Sequence, residues 1–486
     1  MIKRPHRSIT LLMLLACYST PTLSADVELN EVLEGFDEDP AATSDIDEVM
    51  EGFEEETAND EHGVAEALEG FDEEPAPAES TTTAITTSPW QLSGAVTLSS
   101  AFNYAHQQVS AGNSDYRGLS RLRTKLSLEL DYALNSNWKL HGDGTIARDF
   151  IYQLRDSTYS PQTLNSHQQE GDLGELFVQG GFNRDIDLKI GRQTVIWGKS
   201  DNLRVNDVIN PLDSRQMGMV DIEDLRLPLT MTRLDWYRGD WSLTALAIHE
   251  VRFNKSAPYG SDYYPFTSLQ PAEVIPTGRG DNTEYALALN GIFSGWDIAF
   301  YGARLFDDQP HMETHSGITK RYHSRITMAG AAINAATGNW LFKGEVAHFR
   351  GMEYSSLMGE QRSRSDLLLG VEYSGLKDAS LSFEIVNRHV HDYASLLAGD
   401  GVKEDELQTA IRYQGDYLHN RLHFTLLNTL NNWGEGGGFS RAALAYDLAD
   451  ALTLTGGVIT YHSGDKIPFN AIGDNDRVFV DLKYSF

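Results

Sequence analysis

The sequence predicts an all-β chain, a transmembrane antiparallel β-barrel of about 18 strands (16 to 18) behind a disordered acidic N-terminal tail in the periplasm. Three observations predict it. From Trp90 onward, segments of roughly ten residues alternate apolar and polar side chains, the period of a strand with one face in lipid and the other in water. The links between those segments alternate between short and long. The chain also opens on the layout of a secretory signal.

Residues 1–25 read as that signal peptide. Lys3, Arg4 and Arg7 precede an apolar run from Ile9 to Cys17, and small and polar residues end at Ser24-Ala25. A lipoprotein reading of Leu14-Leu15-Ala16-Cys17 fits less well, because Leu15 stands where a small residue is expected. Cys17 is the only cysteine, so cleavage after Ala25 leaves a chain without disulfides, thiolate metal sites or cysteine nucleophiles. No further segment approaches the roughly 18 consecutive apolar residues of a membrane helix, so a membrane crossing must use a closed barrel.

The next domain is a low-complexity tail, residues 26–88. Its Asp, Glu, Ala, Pro and Thr cannot bury enough apolar area to offset the entropy of ordering. Between Asp26 and Glu79 there are 22 acids and no Lys or Arg; with +3 in the signal peptide, the net −31 leaves −31 + 22 − 3 = −12 for the rest. Acidity on this scale argues against nucleic acid as a partner.

One pattern occurs three times in the tail: Leu29, Val32, Leu33 and Phe36; Ile46, Val49, Met50 and Phe53; Val64, Ala67, Leu68 and Phe71. The spacing i, i+3, i+4, i+7 sets four apolar side chains on one face of a two-turn helix. Each copy carries Glu-Gly before its phenylalanine and acids after it, which keep the helix short and marginal in isolation. The pattern predicts folding on a partner's groove, with three copies raising avidity. An acidic spacer that binds nothing is the plain alternative.

Residues 89–486 form the barrel domain. Strands are predicted to begin near Trp90, Leu119, Trp138, Gly174, Asp187, Leu229, Trp241, Thr283, Trp296, His323, Trp340, Asp366, Leu381, Leu407, Arg421, Phe439, Leu452 and Asp476. The second is the clearest: Leu122, Leu126, Leu128 and Leu130 alternate with Arg121, Arg123, Lys125 and Glu129, so the charged row must face a lumen. The last alternates Val478, Val480, Leu482, Tyr484 and Phe486 with Arg477, Asp481 and Lys483, and a terminal Phe486 resembles the signal read by the outer-membrane assembly machinery.

Short links at 135–137, 183–185, 238–240, 294–295, 337–338, 377–378 and 447–451 alternate with long ones, notably 155–173, 198–227, 255–280, 307–321, 351–365 and 391–405. Short periplasmic turns and long extracellular loops are the usual asymmetry, and an even strand number puts both termini in the periplasm. A barrel of 16 to 18 strands encloses water unless loops fill it.

Within the barrel, Gly191-Arg192-Gln193-Thr194-Val195-Ile196-Trp197-Gly198 precedes Asn206-Asp207-Val208-Ile209-Asn210-Pro211-Leu212-Asp213 where the fifth strand runs into the longest loop. This stretch resembles the signature of an uncharacterised Gram-negative outer-membrane barrel family, distantly similar to alginate-export porins. The resemblance implies a barrel that accompanies inner-membrane exporters of the resistance-nodulation-division type, with no defined substrate. The loop is long enough to fold into the lumen, where Arg192, Lys199, Arg204, Asp207, Asp213 and Arg215 would form a constriction of both signs; an ordered surface loop is the alternative. Tyr259, Tyr263, Tyr264 and Phe266 are expected in the outer aromatic girdle.

These readings predict an outer-membrane channel or transport component, moving a solute with lipid-like or hydrophobic molecules among the candidates. Its tail would dock an inner-membrane transporter or periplasmic adaptor, and its wall would meet outer-membrane lipid and lipopolysaccharide. A self-sufficient passive porin with a spacer tail is the alternative. No cofactor or metal is expected. An enzyme is not expected either, since no Gly-x-Ser-x-Gly elbow occurs and His389, His391 and His419 lack metal-ligand spacing.

Overall fold

A computed structural model describes residues 88–106, 114–155, 157–220, 222–277 and 280–486. The signal peptide, the acidic tail up to residue 87 and its three repeats lie outside the described residues.

Eighteen antiparallel strands close into one barrel. In chain order they are β1 Trp90–Asn103, β2 Gly118–Ala133, β3 Trp138–Asp149, β4 Gln169–Gly181, β5 Ile186–Gln193, β6 Leu229–Arg238, β7 Trp241–Ile248, β8 Glu284–Phe293 and β9 Trp296–Phe306. After the hairpin β10 His311–His315 and β11 Ile318–Tyr322 come β12 Arg325–Thr337, β13 Trp340–Glu353, β14 Gln361–Leu376, β15 Ala379–Val390, β16 Asp405–Tyr417, β17 Leu422–Asn431, β18 Gly437–Ala449, β19 Leu452–His462 and β20 Arg477–Ser485. Each barrel strand pairs with its neighbours, and β20 pairs with β1 to close the wall, leaving no sheet edge exposed. The β10–β11 hairpin stands apart in the loop where the sequence pattern predicted only a long link.

The seam is closed by the last residue. Phe486 and Gly94 exchange both backbone hydrogen bonds at 2.9 Å. A Cβ on Gly94 would lie 2.7 Å from the Phe486 ring, so glycine there makes room for the terminal aromatic.

The outer face is apolar along its middle. Leu92, Leu98, Ile146, Ile190, Leu287, Phe300, Val346, Leu367, Leu369 and Val480 are exposed, an arrangement that water would oppose and lipid favours. At the short-turn end, which holds both described termini, the band stops in aromatic pairs: Trp90 on Tyr132, Trp138 on Phe182, Trp241 with Phe293, and Trp340 on Tyr373. Such rings suit a membrane interface. At the long-loop end the same outward alternation passes to Arg148, Arg192, Arg304, His348, Arg350 and His389. Among the described residues no helix is long and apolar enough to cross a membrane, and the crossing falls to the strands.

The core lies inside. Most of its buried apolar residues come from the inward faces of β6–β9 and β12–β16 together with the loop between β5 and β6. A smaller cluster joins Met219 of that loop and Tyr263 of the β7–β8 loop to Tyr461, Ile459, Phe469 and Phe479 near the seam. A buried core within a barrel of this width requires that loops enter the lumen.

A candidate lumen constriction

The chain leaves β5 at Gln193, whose side chain is fully buried and donates to the Met231 carbonyl. Trp197 then stacks on Tyr301 of β9, with ring centroids 4.9 Å apart, and the Gly198 N–H donates to the Tyr301 hydroxyl. Gly198 has φ +84°, and a Cβ there would meet a Glu345 carboxylate oxygen at 2.8 Å, so the turn requires glycine.

Beyond this turn the loop docks on two buried wall carboxylates. Glu345 of β13 accepts the backbone N–H groups of Lys199, Ser200 and Asn206, and the Asn206 side-chain amide at 2.9 Å. Glu384 of β15 accepts the Ser200 hydroxyl at 2.7 Å and the N–H groups of Asp201, Asn202 and Leu203 at 2.9, 3.0 and 3.1 Å. Glu345 and Glu384 are 2% and 1% exposed, so the loop's unpaired amides satisfy charges that would otherwise be costly to bury. β15 is eight strands from β5 in an 18-strand ring, one short of opposite. The loop therefore crosses the lumen.

Ion pairs fix it further. Lys199 pairs with Asp297 of β9, and Asp201 with Lys343 of β13. Asp207 is held between Arg204 and Arg226, at 3.1 and 2.9 Å. Arg204 also donates to the Asn210 carbonyl at 2.8 Å, and its own carbonyl accepts Arg388 of β15. Asn210, fully buried, accepts the Val195 N–H and donates to the Leu227 carbonyl at 2.8 Å each, which ties the two ends of the loop together. Asp207 and Asn210 are thus the loop's internal fasteners, while the Asn206 amide reaches the wall at Glu345 and the Ala331 carbonyl.

The return limb crosses back toward β4. Asp213 and Arg215 pair with each other at 2.8 Å, Arg215 also reaches Glu170, and Lys255 of the β7–β8 loop reaches Asp172 at 2.9 Å. Burial works against the charge of Asp213, but the Arg215 hydrogen bonds and the nearby Lys255 outweigh it and hold the carboxyl below its ordinary range. Arg123 of β2 joins this group through Glu170 at 3.0 Å.

The predicted site residues therefore fall into separate places. Lys199, Arg204 and Asp207 lie on the limb facing β9–β15; Asp213 and Arg215 lie on the limb facing β4. Arg121, Arg123 and Lys125 form an inward row on β2, opposite Ala101, Ser99 and Thr97 of β1. Arg192 stands apart: it shares the outward face with Ile190 and pairs with Glu250 at 2.7 Å at the rim. The Tyr-rich loop departs from its girdle expectation. Tyr263 is buried and its hydroxyl lies 3.0 Å from that of Tyr461, while Asp262 pairs with Arg477 at 3.0 Å, so this second loop also bends over the lumen. The sequence pattern singled out neither Glu345 nor Glu384 as a site residue.

Among solved structures, OccAB2 of Acinetobacter baumannii is similar at 12% identity over 82% of this chain and 98% of that one, with a TM-score of 0.49. OpdK of Pseudomonas aeruginosa with vanillate is similar at 11% identity over 82% and 98%, with a TM-score of 0.47. No curated protein matches. Over residues 62–486 the chain matches the family described as "Protein of unknown function (DUF1302)", and it belongs to that family.

Proposed function

We propose that this protein is an outer-membrane channel in which the β5–β6 loop narrows the lumen, and that its N-terminal tail docks an inner-membrane transporter or periplasmic adaptor. The observation that carries the channel reading is the loop held across the lumen by Glu345 and Glu384, inside a barrel whose outer face is apolar. A barrel serving only as an anchor has no need of a polar strut spanning its interior. The docking reading rests on the three apolar stripes that end in Phe36, Phe53 and Phe71. The family match begins at residue 62, so the third stripe, Val64 to Phe71, lies within the region shared with the family and the first two lie before it. The sequence resemblance to barrels that accompany resistance-nodulation-division exporters favours a trans-envelope partner of that type.

The channel reading is tested by reconstituting the full mature protein in planar bilayers: discrete conductance steps are expected, and a silent membrane under conditions where the barrel inserts would refute it. The docking reading is tested separately, by crosslinking the full-length protein in cells, with a Phe36→Ala, Phe53→Ala, Phe71→Ala variant as control. Capture of an inner-membrane transporter by the unaltered tail alone supports it. Equal capture by both, or none, leaves a self-sufficient porin with an acidic spacer.

A further inference from the structure

At the long-loop end, His311, Glu313 and His315 alternate along β10 and so share one face of the hairpin. Glu313 bridges the two imidazoles, one carboxylate oxygen 2.8 Å from His311 Nε2 and the other 2.6 Å from His315 Nε2. Glu353, at the end of β13, reaches the same His311 nitrogen at 3.3 Å. The ligand atoms of His311, Glu313 and Glu353 all lie within 4.8 Å of one another.

A single imidazole nitrogen with a carboxylate oxygen on each side cannot serve both with one proton. Lys320, directly across the hairpin from Glu313, makes no ion pair with it among the described residues, so no side-chain cation beyond the histidines themselves neutralises the two carboxylates. His311 is 4% exposed and its Nδ1 has no hydrogen-bond partner. Without a cation, Nε2 carries the proton toward these carboxylates; because no partner fixes the tautomer at Nδ1, the proton can move there and turn the Nε2 lone pair to a Lewis acid.

We propose that His311, Glu313 and Glu353 hold a divalent cation of the zinc class, that the exposed His315 turns from the far oxygen of Glu313 to complete the ligand set, and that the ion fastens the β10–β11 hairpin to the rim of β13. Two imidazoles with two carboxylates favour borderline first-row ions over magnesium or calcium, which take oxygen ligands. Bond lengths of about 2.0–2.2 Å to nitrogen and oxygen set tetrahedral ligand edges of roughly 3.3 Å. The His311–Glu353 separation already has that value, the 2.8 Å His311–Glu313 contact needs to open by about half an ångström, and the exposed His315 side chain has to swing in.

The test uses the full-length protein, folded in detergent and stripped of metal, with folding verified by its heat-dependent gel mobility. Zinc uptake is measured by titration, alongside tryptic cleavage after Lys320, which is exposed on the hairpin. The expected result is one zinc ion per barrel, slower cleavage when it is bound, and no displacement by excess magnesium. His311→Ala and Glu353→Gln should each weaken binding more than about tenfold, since loss of an outer-shell partner alone costs about 10–100-fold. His315→Ala, on the exposed arm of the hairpin, provides a variant whose folding is not at risk and should also weaken binding. His391→Ala, in the neighbouring histidine group of His348 and His389, should not. The proposal is overturned if the protein takes up no zinc, if the His311, His315 and Glu353 variants bind as the parent does, or if His391→Ala weakens binding as much as they do.

Discussion

Replacing Glu384 by glutamine should unfasten the lumen loop without disturbing the barrel wall. Glu384 accepts four donors from Ser200, Asp201, Asn202 and Leu203 at 2.7–3.1 Å. A glutamine oxygen placed at the better-served position keeps three of them as neutral bonds, each about 0.5–1 kcal/mol weaker than its charged counterpart. The new amide NH2 faces the Asp201 N–H, and leaving that donor unpaired costs a further ~1–3 kcal/mol. With relaxation in a polar lumen the sum is about 3 kcal/mol, roughly a hundredfold in the ratio of docked to undocked loop. Trp197 on Tyr301 and the Glu345 contacts still hold, so the expected single-channel record switches between the parent level and a larger one. Glu345→Gln with Glu384→Gln should shift the record toward the larger level, and deletion of residues 199–206 should fix it there. Parent-like traces from the double variant, with raised conductance in the deletion, would show that these carboxylates do not anchor the loop. Unchanged conductance in the deletion itself would remove the loop from the conduction path.

Other perturbations probe neighbouring links. Gly198→Ala forces a Cβ into a φ of +84° and against Glu345 at 2.8 Å, and should reproduce the unfastened conductance while the folded barrel keeps its gel mobility. Burial, assisted by the Arg215 charge, holds the His167 imidazole down at about 4, against an ordinary 6.5. His167 ends the short helix Pro161–His167 of the β3–β4 loop. That loop is therefore fully favoured above about pH 6.5 and loses stability as pH falls toward 4, a slope in thermal unfolding that His167→Gln should flatten. The triple change Phe36→Ala, Phe53→Ala, Phe71→Ala should leave barrel insertion and conductance intact and impair only transport in cells; loss of barrel folding would show the tail to be structural. Arg121→Gln with Lys125→Gln should move the reversal potential in a salt gradient toward cation preference with the loop still docked, and an unchanged potential would place the ion path away from β2.

The wall was legible in the sequence because lipid on one side and water on the other impose a period of two. All predicted strand starts but two fall within two residues of the structure, and the exceptions have one cause. β4 begins at Gln169 rather than Gly174, and β14 at Gln361 rather than Asp366. The extra residues, such as Gln361-Arg362-Ser363-Arg364, are polar on both faces, as a strand becomes where it rises above the lipid. There the ladder persists by backbone pairing alone, and no alternation announces it. The β10–β11 hairpin escaped for the same reason, and with it the His311-x-Glu313-x-His315 row, whose spacing has meaning only once that segment is known to be a strand. The constriction was half legible. Asn206-Asp207 and Asn210 advertised an ordered loop, but its anchors accept backbone amides from residues more than a hundred positions away, which no side-chain pattern encodes.

The inward charges of the wall differ between two arcs of the barrel. On β13–β15 the charges are consumed by structure. Glu345 and Glu384 hold the loop, Lys343 meets Asp201, and Arg364 and Arg388 share the buried Asp366. Removing Arg364 or Arg388 leaves the buried Asp366 short of a partner, so those changes report on stability before they report on transport. On β2 the balance differs. Arg123 is tied to Glu170, yet Arg121 and Lys125 on either side of it make no ion pair among the described residues. The outgoing limb of the loop leans on the first arc, and its return limb reaches the second only through Arg215, Glu170 and Arg123. On the proposed channel reading, Arg121 and Lys125 are the residues to change for selectivity, and Glu345 and Glu384 on β13 and β15 those to change for opening.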